Sequence, residues 1–405
     1  MAYKIGSKID VFLIRVMYEF YPTIGGSIVH TLEEIKEINP YVAGQVIIAP
    51  DFHIDCSDFD DKSEISVLRV RSPLTPKWIS DRKIPIHPLI LLFFALHTVK
   101  RIRIIESERA ENIIVHVEGG LLGAVLSLIL RLQRSKIPIV ITQHSANPFR
   151  ISYREKIASW LSLPLLALGR PAWLLVLDDG MGIEEFGRII DRIGIKWNPI
   201  YHAFNDDFFI PSDVTHQEGF IILSTSRLDP FKRMDLALRA YSRFLKISGA
   251  VDGRFIIAGS GEELQSLKKL VKDMRIEDSV DFVGEKSIDE IRELLKKASV
   301  VIGTSLKSNV NRSTQEAMCA GKAVIVFNNG AEKKLITDGY DGILVKSGDL
   351  NAFAEALKII HDDSERRRTL GMNAKEKMFR ERSWKKRIND NLDTYGEISR
   401  NRANR

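Results

Sequence analysis

Cysteine is scarce in this sequence, and its scarcity narrows the classes of protein to consider. The two cysteines, Cys56 and Cys319, are far apart and form no CxxC pair. A disulfide framework and a cysteine-based zinc site both require more thiols at closer spacing, so the composition favours a reducing compartment. No internal repeat, P-loop motif or GxSxG motif is present either. This argues against repeat architectures and against the nucleotide hydrolases and serine hydrolases that carry those motifs.

Long uninterrupted apolar runs are also missing. Asp10 and Arg15 interrupt the amino-terminal stretch MAYKIGSKIDVFLIRV, which argues against a signal peptide. The most apolar segment spans residues 84–105, but its uninterrupted part, 88–96, is far shorter than the roughly 20 residues that cross a bilayer. Two interpretations of this segment stay open. It is a buried or domain-edge helix, or an interfacial helix that rests on anionic lipid through its apolar side and Lys100, Arg101 and Arg103.

Acidic residues are outnumbered by basic ones. The chain of 405 residues carries a formal net charge of +6, and its pI is near 9.1. This balance suits a polyanionic small substrate, an anionic membrane surface or nucleic acid, and it does not choose among them. The length and the 44% hydrophobic composition predict a folded protein of roughly two or three domains. We expect a cytoplasmic protein, with peripheral contact to the cytoplasmic face of a membrane left open.

Short apolar strands that alternate with helices are what the sequence contains instead. IDVFLIRV is predicted to be the first strand of a doubly wound parallel sheet. Gly25 and Gly26 come directly before a helix that begins near Ser27, and glycine there allows a backbone to approach a diphosphate. An ordinary strand-to-helix turn is the alternative. A later strand, IPIVITQHS, ends at His144, on the edge where such sheets build their ligand clefts.

The stretch from Thr304 to Phe327 carries the strongest indication of a ligand site. ASVVIGTSL and KAVIVF are predicted parallel strands, and a helix lies between them. Amides in the first turn of a helix at this edge of a sheet bind phosphate and sugar hydroxyls. Glu316 lies near the helix start, where its carboxylate can accept hydrogen bonds from a ribose diol. The residues that open the helix are Ser308, Asn309, Asn311, Arg312, Ser313 and Thr314, and Gly321 and Lys322 close it.

Two cations follow another predicted strand, GFIILSTS. Arg227 and Lys232 are five positions apart, and Pro230 between them rigidifies the turn. Cations at a strand end can neutralise a diphosphate leaving group as its bond to a sugar breaks. The alternative, a solvated helix start, would place cations at the unfavourable end of the helix dipole. We therefore expect both side chains to contact a diphosphate.

The sequence resembles the retaining glycosyltransferases of family 4, which have the GT-B fold. The pattern SxxxxxxxEAMxxGKxV resembles the carboxy-terminal signature of that family, in which two glutamates are separated by seven intervening residues. Glu316 matches the second glutamate, whereas Ser308 stands at the position of the first. RLDPFK matches the Arg-Leu-x-x-x-Lys spacing of Arg227 and Lys232, whose implied role is to hold the diphosphate. The family pattern PxxGGxxxH, which borders the donor diphosphate, is matched by Pro22, Gly25, Gly26 and His30.

The resemblance implies further contacts to a nucleotide-sugar donor. His144 is implied to contact the transferred sugar, and the backbone of Val283 and Gly284 to lie near the nucleotide base. The amides of Asn309, Val310 and Asn311 are expected to replace the sugar contacts of the missing glutamate. A second departure is His116-Val117-Glu118-Gly119, because the family commonly has His-x-His-Gly there. The implied catalytic residues are His144, Arg227, Lys232 and Glu316.

An acidic cluster at residues 51–61 invites a metal-site interpretation. Asp51, His53, Asp55 and Cys56 are possible ligands, and residues 58–60 imitate the DxD motif of another glycosyltransferase fold. The cluster continues into more acid and lies far in sequence from any diphosphate loop. We therefore interpret it as a solvated acidic loop and expect neither a bound metal nor a cofactor.

The resemblance implies an α/β protein of GT-B architecture, with two Rossmann-like doubly wound domains facing a central cleft. We expect an acceptor-side domain at 1–210, a nucleotide-sugar domain at 218–384 and a helix at 385–405 that crosses back. The implied activity is retaining transfer of a hexose from a nucleoside-diphosphate sugar to an acceptor hydroxyl of a cell-surface or lipid-linked, possibly N-linked, glycan. A nucleotide-sugar epimerase or phosphorylase and a non-catalytic partner subunit are the alternatives. Nucleic acid is not an expected partner.

Overall fold

The apolar runs of the sequence form the strands of two parallel sheets. The computed structural model describes residues 6–18, 20, 26–51, 56, 60, 65–71, 88–109, 112–144, 162–178, 182–210, 219–249, 253–306 and 310–403. The chain divides into two compact units, one of Met1–Ala203 with Trp384–Arg405 and one of Phe204–Ser383. Each unit is built around its own sheet.

The described residues of the first unit form seven strands. They are β1 (Phe12–Met17), β2 (Gly44–Asp51), β3 (Ser66–Arg71), β4 (Ile113–Glu118), β5 (Ile139–Gln143), β6 (Trp173–Leu177) and β7 (Trp197–Ile200). Their order is β3-β2-β1-β4-β5-β6-β7, and all neighbours are parallel. Central strands of such a sheet are covered on both faces, which is why β1 is buried along its whole length. The helices between the strands are α1 (Gly26–Ile38), α2 (Pro88–Glu108), α3 (Gly120–Leu132), α4 (residues 162–169) and α5 (Ile183–Ile193).

The described part of the second unit repeats this plan with six strands. They are β8 (Phe220–Thr225), β9 (Gly253–Ala258), β10 (Val280–Gly284), β11 (Val300–Gly303), β12 (Ala323–Asn328) and β13 (Ile343–Lys346). Their order is β10-β9-β8-β11-β12-β13, again with parallel neighbours. The helices are α6 (Met234–Ser248), α7 (Leu264–Asp273), α8 (Ile288–Lys297), α9 (Arg312–Cys319), α10 (Glu332–Leu335), α11 (Leu350–Asp362) and α12 (Ser364–Arg382). The predicted α/β, Rossmann-like class is confirmed for both units.

Both sheets reverse their strand order at one place. The reversal lies between β1 and β4 in the first unit and between β8 and β11 in the second. Loops that leave the carboxyl ends of the two strands at a reversal diverge, and the crevice between them is where doubly wound sheets bind ligands. The segments that follow β8 and β11 contain the predicted cations and the predicted helix-start residues.

The boundary between the units differs from the predicted one. The second unit begins at Phe204, whereas the sequence suggested a first domain that continues to residue 210. Phe204 belongs to the second unit because its N–H donates to the carbonyl of Arg382 at 2.8 Å, and its ring packs with Phe208 in that unit's core. The carboxy-terminal helix α13 (Trp384–Ala403) belongs to the first unit, where Trp384, Ile388 and Tyr395 are buried.

The apolar segment at residues 84–105 forms most of α2, and residues 84–87 lie outside the described residues. One face of α2 buries Phe94, Val99 and Ile102 in the core of the first unit. The opposite face exposes apolar side chains, namely Leu89 (69%), Leu92 (42%), Phe93 (39%) and Leu96 (44%). The helix α2 is thus only partly buried, and its solvent-exposed face is apolar. Among the described residues, no helix is both long enough and apolar enough to cross a membrane.

Candidate functional site

The loop between β8 and α6 holds the two predicted cations. Asp229 shapes this loop, because its Oδ1 accepts hydrogen bonds from the backbone N–H groups of Phe231 (3.1 Å) and Lys232 (3.2 Å). Thr304, which follows β11, donates its hydroxyl to the carbonyl oxygens of Lys232 (3.2 Å) and Arg233 (2.9 Å). The loop backbone is therefore fixed from two sides at the strand reversal.

A glycine turn after β9 packs against the backbone of the same loop. The N–H of Leu228 donates to the carbonyl of Ser260 at 2.8 Å. A Cβ on Gly259 would lie 2.0 Å from the carbonyl oxygen of Ser226, and one on Gly261 would lie 2.3 Å from that of Leu228. No side chain fits at either position, so the two glycines allow the backbone contact that positions the loop.

Lys232 and Asn311 meet at the strand reversal. The ammonium of Lys232 donates to Asn311 Oδ1 at 2.6 Å. On its other side, Asn311 donates to Glu332 Oε1 through its backbone N–H (3.1 Å) and its Nδ2 (2.7 Å). The hydroxyl of Thr314 lies 3.4 Å from the same oxygen. A chain of hydrogen bonds therefore runs from a buried carboxyl group through an amide to a half-buried cation.

Helix α9 begins directly after Asn311. The Asn311 side chain makes no capping hydrogen bond to α9, because it lies between Lys232 and Glu332. The Asn311 side chain therefore does not cap the first-turn amides of α9. The predicted helix end is also present, since Gly321 has φ +70° and its N–H donates to the carbonyl of Met318 at 3.0 Å.

Glu316 lies one turn inside α9 rather than at its first residue. Its Oε1 accepts a hydrogen bond from Arg312 Nε at 2.9 Å, and its side chain is 15% exposed. Burial raises the pKa of Glu316, and the charge of Arg312 only partly opposes this. A carboxylate that is desolvated and held by one cation can still accept hydrogen bonds from a diol.

The other predicted donor contacts of the second unit lie at three places. Arg227 is 82% exposed at its side chain and pairs with Asp229 Oδ2 at 3.2 Å. Gly284 ends β10 with φ +74°, and its carbonyl accepts from Gly259, whereas Val283 is half-buried. Val310 packs against the core beside α9.

Burial shifts the pKa values of Lys232 and Glu332, the two ionisable groups at the ends of this hydrogen-bonded chain. Burial lowers the pKa of Lys232, although Asp229 opposes the change. Burial raises the pKa of Glu332 to about 7, against the hydrogen bonds from Asn311 and Thr314. Oε2 of Glu332 is buried and has no hydrogen-bond partner among the described residues, so a proton taken up by this group is expected there.

The first unit carries a different arrangement at its strand reversal. Arg15 on β1 is fully buried, and its Nη1 lies 3.1 Å from Glu34 Oε1 and 2.6 Å from His116 Nδ1. Glu34 Oε2 accepts two hydrogen bonds from Arg387 of α13, at 3.1 and 2.7 Å. Burial and then the charge of Arg15 lower the pKa of His116 to about 3. Because the guanidinium of Arg15 can only donate, His116 is neutral and carries its proton on Nε2, toward Thr142.

His144 lies at the end of β5, beside this cluster. Its Nε2 is 3.1 Å from Glu118 Oε2, and its side chain is 37% exposed. Burial opposes the charged imidazole, but the hydrogen bond and the charge of Glu118 raise the pKa of His144 overall. Glu118, which replaces the histidine of the family pattern, therefore favours a protonated His144.

Ligand atoms of Glu34, His116 and Glu118 lie within 4.8 Å of one another, a spacing that suits a metal ion. The guanidinium of Arg15 occupies the same space, at 3.1 Å from Glu34 and 3.7 Å from Glu118. A metal would have to displace a buried cation that already neutralises both carboxylates, so the donor set does not fit a metal ion. In the acidic segment 51–61, Asp60 pairs with Arg69 through two hydrogen bonds of 2.9 and 2.7 Å.

Several predicted site residues cannot be placed. Gly25, Ser308 and Asn309 lie outside the described residues, and Gly26 is the first residue of α1. His30 lies further along α1, where its Nε2 accepts the backbone N–H of Ala203 at 2.9 Å. That contact gives His30 a structural partner at the end of the first unit.

The described site residues of the second unit fall within a match to one family model. The family model described as "Glycosyl transferases group 1" matches residues 206–377, which include Lys232, Asn311 and Glu316. This match covers nearly all of the second unit, Phe204–Ser383. The glycosyl transferases group 1 match thus covers both loops of the strand reversal.

Curated relatives agree with the family at low identity. N-acetyl-alpha-D-glucosaminyl L-malate synthase of Bacillus anthracis is 25% identical over 51% of this chain and 55% of its own length. The Campylobacter jejuni enzyme GalNAc-alpha-(1->4)-GalNAc-alpha-(1->3)-diNAcBac-PP-undecaprenol alpha-1,4-N-acetyl-D-galactosaminyltransferase is 29% identical over 60% of this chain and 64% of its own length. The match therefore spans little more than half of these two relatives.

Solved structures of glycosyltransferases share the whole fold. Anabaena Alr3699/HepE in complex with UDP superposes with a TM-score of 0.69 at 16% identity, covering 95% of this chain and 99% of that one. A glycosyltransferase from Rickettsia africae gives 0.69 at 17% identity, covering 96% and 98%. The predicted GT-B fold is confirmed by these likenesses.

Two features of this glycosyltransferase fold were missed by sequence reasoning. Glu332 was not among the predicted site residues. Arg15 was noted only as an interruption of an apolar run, although a charged residue inside a buried strand signals that buried partners must exist. Its partner Glu34 lies 19 positions further along the chain, and Arg387, which also binds Glu34, lies 353 positions beyond Glu34. No local sequence pattern connects the three residues.

Proposed function

We propose that this protein is a retaining glycosyltransferase of family 4 that moves a hexose from a nucleoside-diphosphate sugar to an acceptor hydroxyl. The observation that carries the proposal is the position of Lys232. Its ammonium is held by Asn311 immediately before the first turn of α9, at the strand reversal of a glycosyl transferases group 1 domain. A cation beside the first turn of a helix suits a diphosphate.

The chemistry follows from charge development during transfer. When the bond between the anomeric carbon and the β-phosphate oxygen breaks, the electron pair stays on the phosphate and positive charge builds on the carbon. Lys232 and the α9 amides stabilise the leaving diphosphate, with Arg227 adding charge from the exposed side of the loop. The acceptor oxygen then bonds to the anomeric carbon, and its proton passes to the oxygen of the departing diphosphate. This scheme uses the protein's own cations, and we propose that it proceeds without a bound metal or cofactor.

The donor is proposed to be a nucleotide sugar held largely by the second unit. Glu316 binds the ribose, and the backbone of Val283 and Gly284 lies near the base. UDP is the ligand in the solved Anabaena structure. That ligand supports a nucleoside-diphosphate sugar as the class of donor.

The acceptor is proposed to be lipid-linked, with the protein peripheral to the cytoplasmic face of a membrane. The exposed face of α2, formed by Leu89, Leu92, Phe93 and Leu96, continues into exposed Lys100 and Arg101. An apolar face with adjoining cations suits an anionic bilayer surface. The name of the Campylobacter jejuni relative also includes a saccharide linked through PP to undecaprenol, which is a lipid.

Binding to vesicles tests this surface. The protein should sediment with vesicles that contain anionic lipid at low salt and dissociate as salt screens the cations. Leu92→Glu should weaken sedimentation, whereas Ile247→Glu, at an equally exposed (42%) position of the second unit, should not. If the two variants bind the vesicles equally well, α2 does not form the contact with the membrane.

A thermal-shift panel of nucleotide sugars tests the donor assignment. A donor present at a hundredfold excess over its Kd should stabilise the protein by about 2.7 kcal/mol. Product analysis with a positive donor then tests retention at the anomeric carbon, and EDTA should leave the rate unchanged. No stabilisation by any nucleotide sugar or nucleoside diphosphate would contradict the proposal.

Ser308 and Glu118 favour a second candidate, a non-catalytic partner subunit with the same fold. Both replace residues that the family usually carries, on the sugar side of the site. Such a protein would bind the donor. It would not show the slow donor hydrolysis that an active transferase shows when no acceptor is present. A measurable donor hydrolysis rate, lost in Lys232→Ala, would exclude this candidate.

A further inference from the structure

We propose that Glu332 is a positioning residue for the diphosphate site, because it fixes the Asn311 amide in the one orientation that can hold the ammonium of Lys232. The proposal rests on the proposed function, since it assigns to Lys232 the binding of the leaving diphosphate. Glu332 itself touches no ligand in this scheme. It acts through Asn311.

The contacts place Glu332 directly behind Asn311. One carboxyl oxygen of Glu332, Oε1, accepts from both the backbone N–H and the side-chain Nδ2 of Asn311, at 3.1 and 2.7 Å. Glu332 is fully buried. It is fixed in turn by Asn329, whose Oδ1 accepts the backbone N–H groups of Ala331 and Glu332 at 3.1 Å each.

Hydrogen-bond chemistry then decides which way the Asn311 amide points. A lysine ammonium has only donors, so it requires the amide oxygen, and the Glu332 oxygen that accepts two N–H groups requires the amide nitrogen. Both requirements are met by a single orientation. Without an acceptor at position 332, the amide can turn over and present its NH₂ group to the ammonium, which would remove the 2.6 Å contact.

The arrangement also explains why Asn311 leaves α9 uncapped. Asparagine is a favoured N-cap residue, and its side chain would ordinarily accept an amide of the first helical turn. Here Asn311 stands at the N-cap position but makes no such bond, because its oxygen is used by Lys232. Glu332 thus contributes to the site in two ways. It orders the cation, and it keeps the Asn311 side chain away from amides that the diphosphate needs.

The Glu332 carboxyl group is buried without a cationic side chain in direct contact among the described residues. Lys232 is the charged group that acts on it, across Asn311, and Thr314 adds a neutral donor. A buried carboxyl group in this position is unfavourable for stability alone. Its presence beside a site of anion binding is accounted for by the position it imposes on Asn311.

Calorimetric titration tests the proposal by comparing the affinities for uridine diphosphate and uridine monophosphate. Guanosine diphosphate and guanosine monophosphate serve as a second pair of probes. Glu332→Ala should weaken the diphosphate about tenfold, as expected for loss of one charge-assisted contact, and the monophosphate less than about twofold. Glu332→Gln, whose carbonyl oxygen accepts the same two N–H groups, should bind almost normally. Lys333→Ala, an exposed neighbour on α10, is the matched control and should be unchanged.

A double substitution separates positioning from a general structural effect. In a Lys232→Ala background, Glu332→Ala should cause no further loss of diphosphate affinity, because the group that it positions is gone. If Glu332→Ala does not fold, Glu332→Met fills the same space without an acceptor and should give the same result.

Two outcomes would overturn the inference while the proposed function stands. One is unchanged diphosphate affinity in Glu332→Ala, with affinity still lost in Lys232→Ala. The other is an equal loss for monophosphate and diphosphate, or a loss that adds to that of Lys232→Ala. If the unmodified protein binds neither diphosphate nor any nucleotide sugar, the proposed function itself fails.

Discussion

The strand reversals of the two sheets are alike in topology and opposite in their use of charge. In the first unit, Arg15 and Arg387 both pair with Glu34 inside the protein, at distances of 3.1 and 2.7 Å. In the second unit, Lys232 is held by the neutral amide of Asn311, and its charge is not matched by a carboxylate in contact with it among the described residues. One reversal therefore has its charges paired internally, and the other presents a cation.

This difference separates a structural role from a binding role. The two arginines and the buried carboxylates beside them, Glu34 and Glu118, compensate one another's charges, and a ligand would have to break those pairs. An amide that orients a lysine supplies a hydrogen bond without cancelling its charge, so the lysine remains attractive to an anion. We expect substitutions in the first cluster to change stability and substitutions in the second to change ligand binding.

The largest effect is expected for Glu34→Ala. Removing the carboxylate leaves Arg15 and Arg387 buried without their main partner, which should lower the free energy of unfolding by about 3–5 kcal/mol. Denaturant unfolding measures the change. Asp390→Ala on α13 removes a partly exposed pair with Lys386 and should cost at most about 1 kcal/mol. Similar costs for the two variants would mean that the buried cluster is not held by its charges.

A kinetic effect of comparable size is expected for the cation of the second unit. Lys232→Ala should lower turnover by on the order of a hundredfold or more and leave the unfolding transition in place, because it removes a charge aimed at the leaving group. Arg227→Ala should cost less, since that side chain is 82% exposed and already pairs with Asp229. Normal turnover in Lys232→Ala would remove its proposed role.

Glu316→Ala should weaken both the donor and the free nucleoside diphosphate. The lost acceptor for the ribose corresponds to about 1.5–3 kcal/mol of binding free energy. Ser308→Ala should have a mild effect that is confined to the sugar, so that only donor affinity changes. Titrations with donor and free nucleotide compare the two. Untouched nucleotide affinity in Glu316→Ala, together with abolished transfer in Ser308→Ala, would show that the alignment of this stretch with the family is wrong.

The smallest effect concerns His144. Glu118 raises the pKa of His144, so Glu118→Gln should lower it, and NMR titration of the imidazole measures the shift. A histidine with a raised folded pKa contributes stability at pH values below its unfolded pKa and loses that contribution as pH rises through the folded pKa. The stability advantage over Glu118→Gln that comes from this histidine should therefore shrink as pH rises above about 6.5. An unchanged imidazole titration would show that the 3.1 Å contact does not set the charge of His144.

Several elements were predictable because their signals are local. The apolar runs that became β1, β5, β11 and β12 are strands of a parallel sheet, and such strands are buried on both faces. The end of α9 at Gly321 was also predictable, because a left-handed residue after a helix favours glycine. The unit boundary at Phe204 was not, since it depends on which core the aromatic ring enters.

The sequence by itself determined the doubly wound plan and the identity of the residues that end its strands, because strand periodicity and turn chemistry act over a few residues. It could indicate that Lys232 and Asn311 both follow strands of one sheet. Only the tertiary structure decided that they touch, across 79 positions, and that Glu332 stands behind them. It alone decided that Arg15, Glu34 and Arg387 form one buried cluster. The physical reason is that a buried polar group must find its partner in space, and the partner's place in the sequence is free.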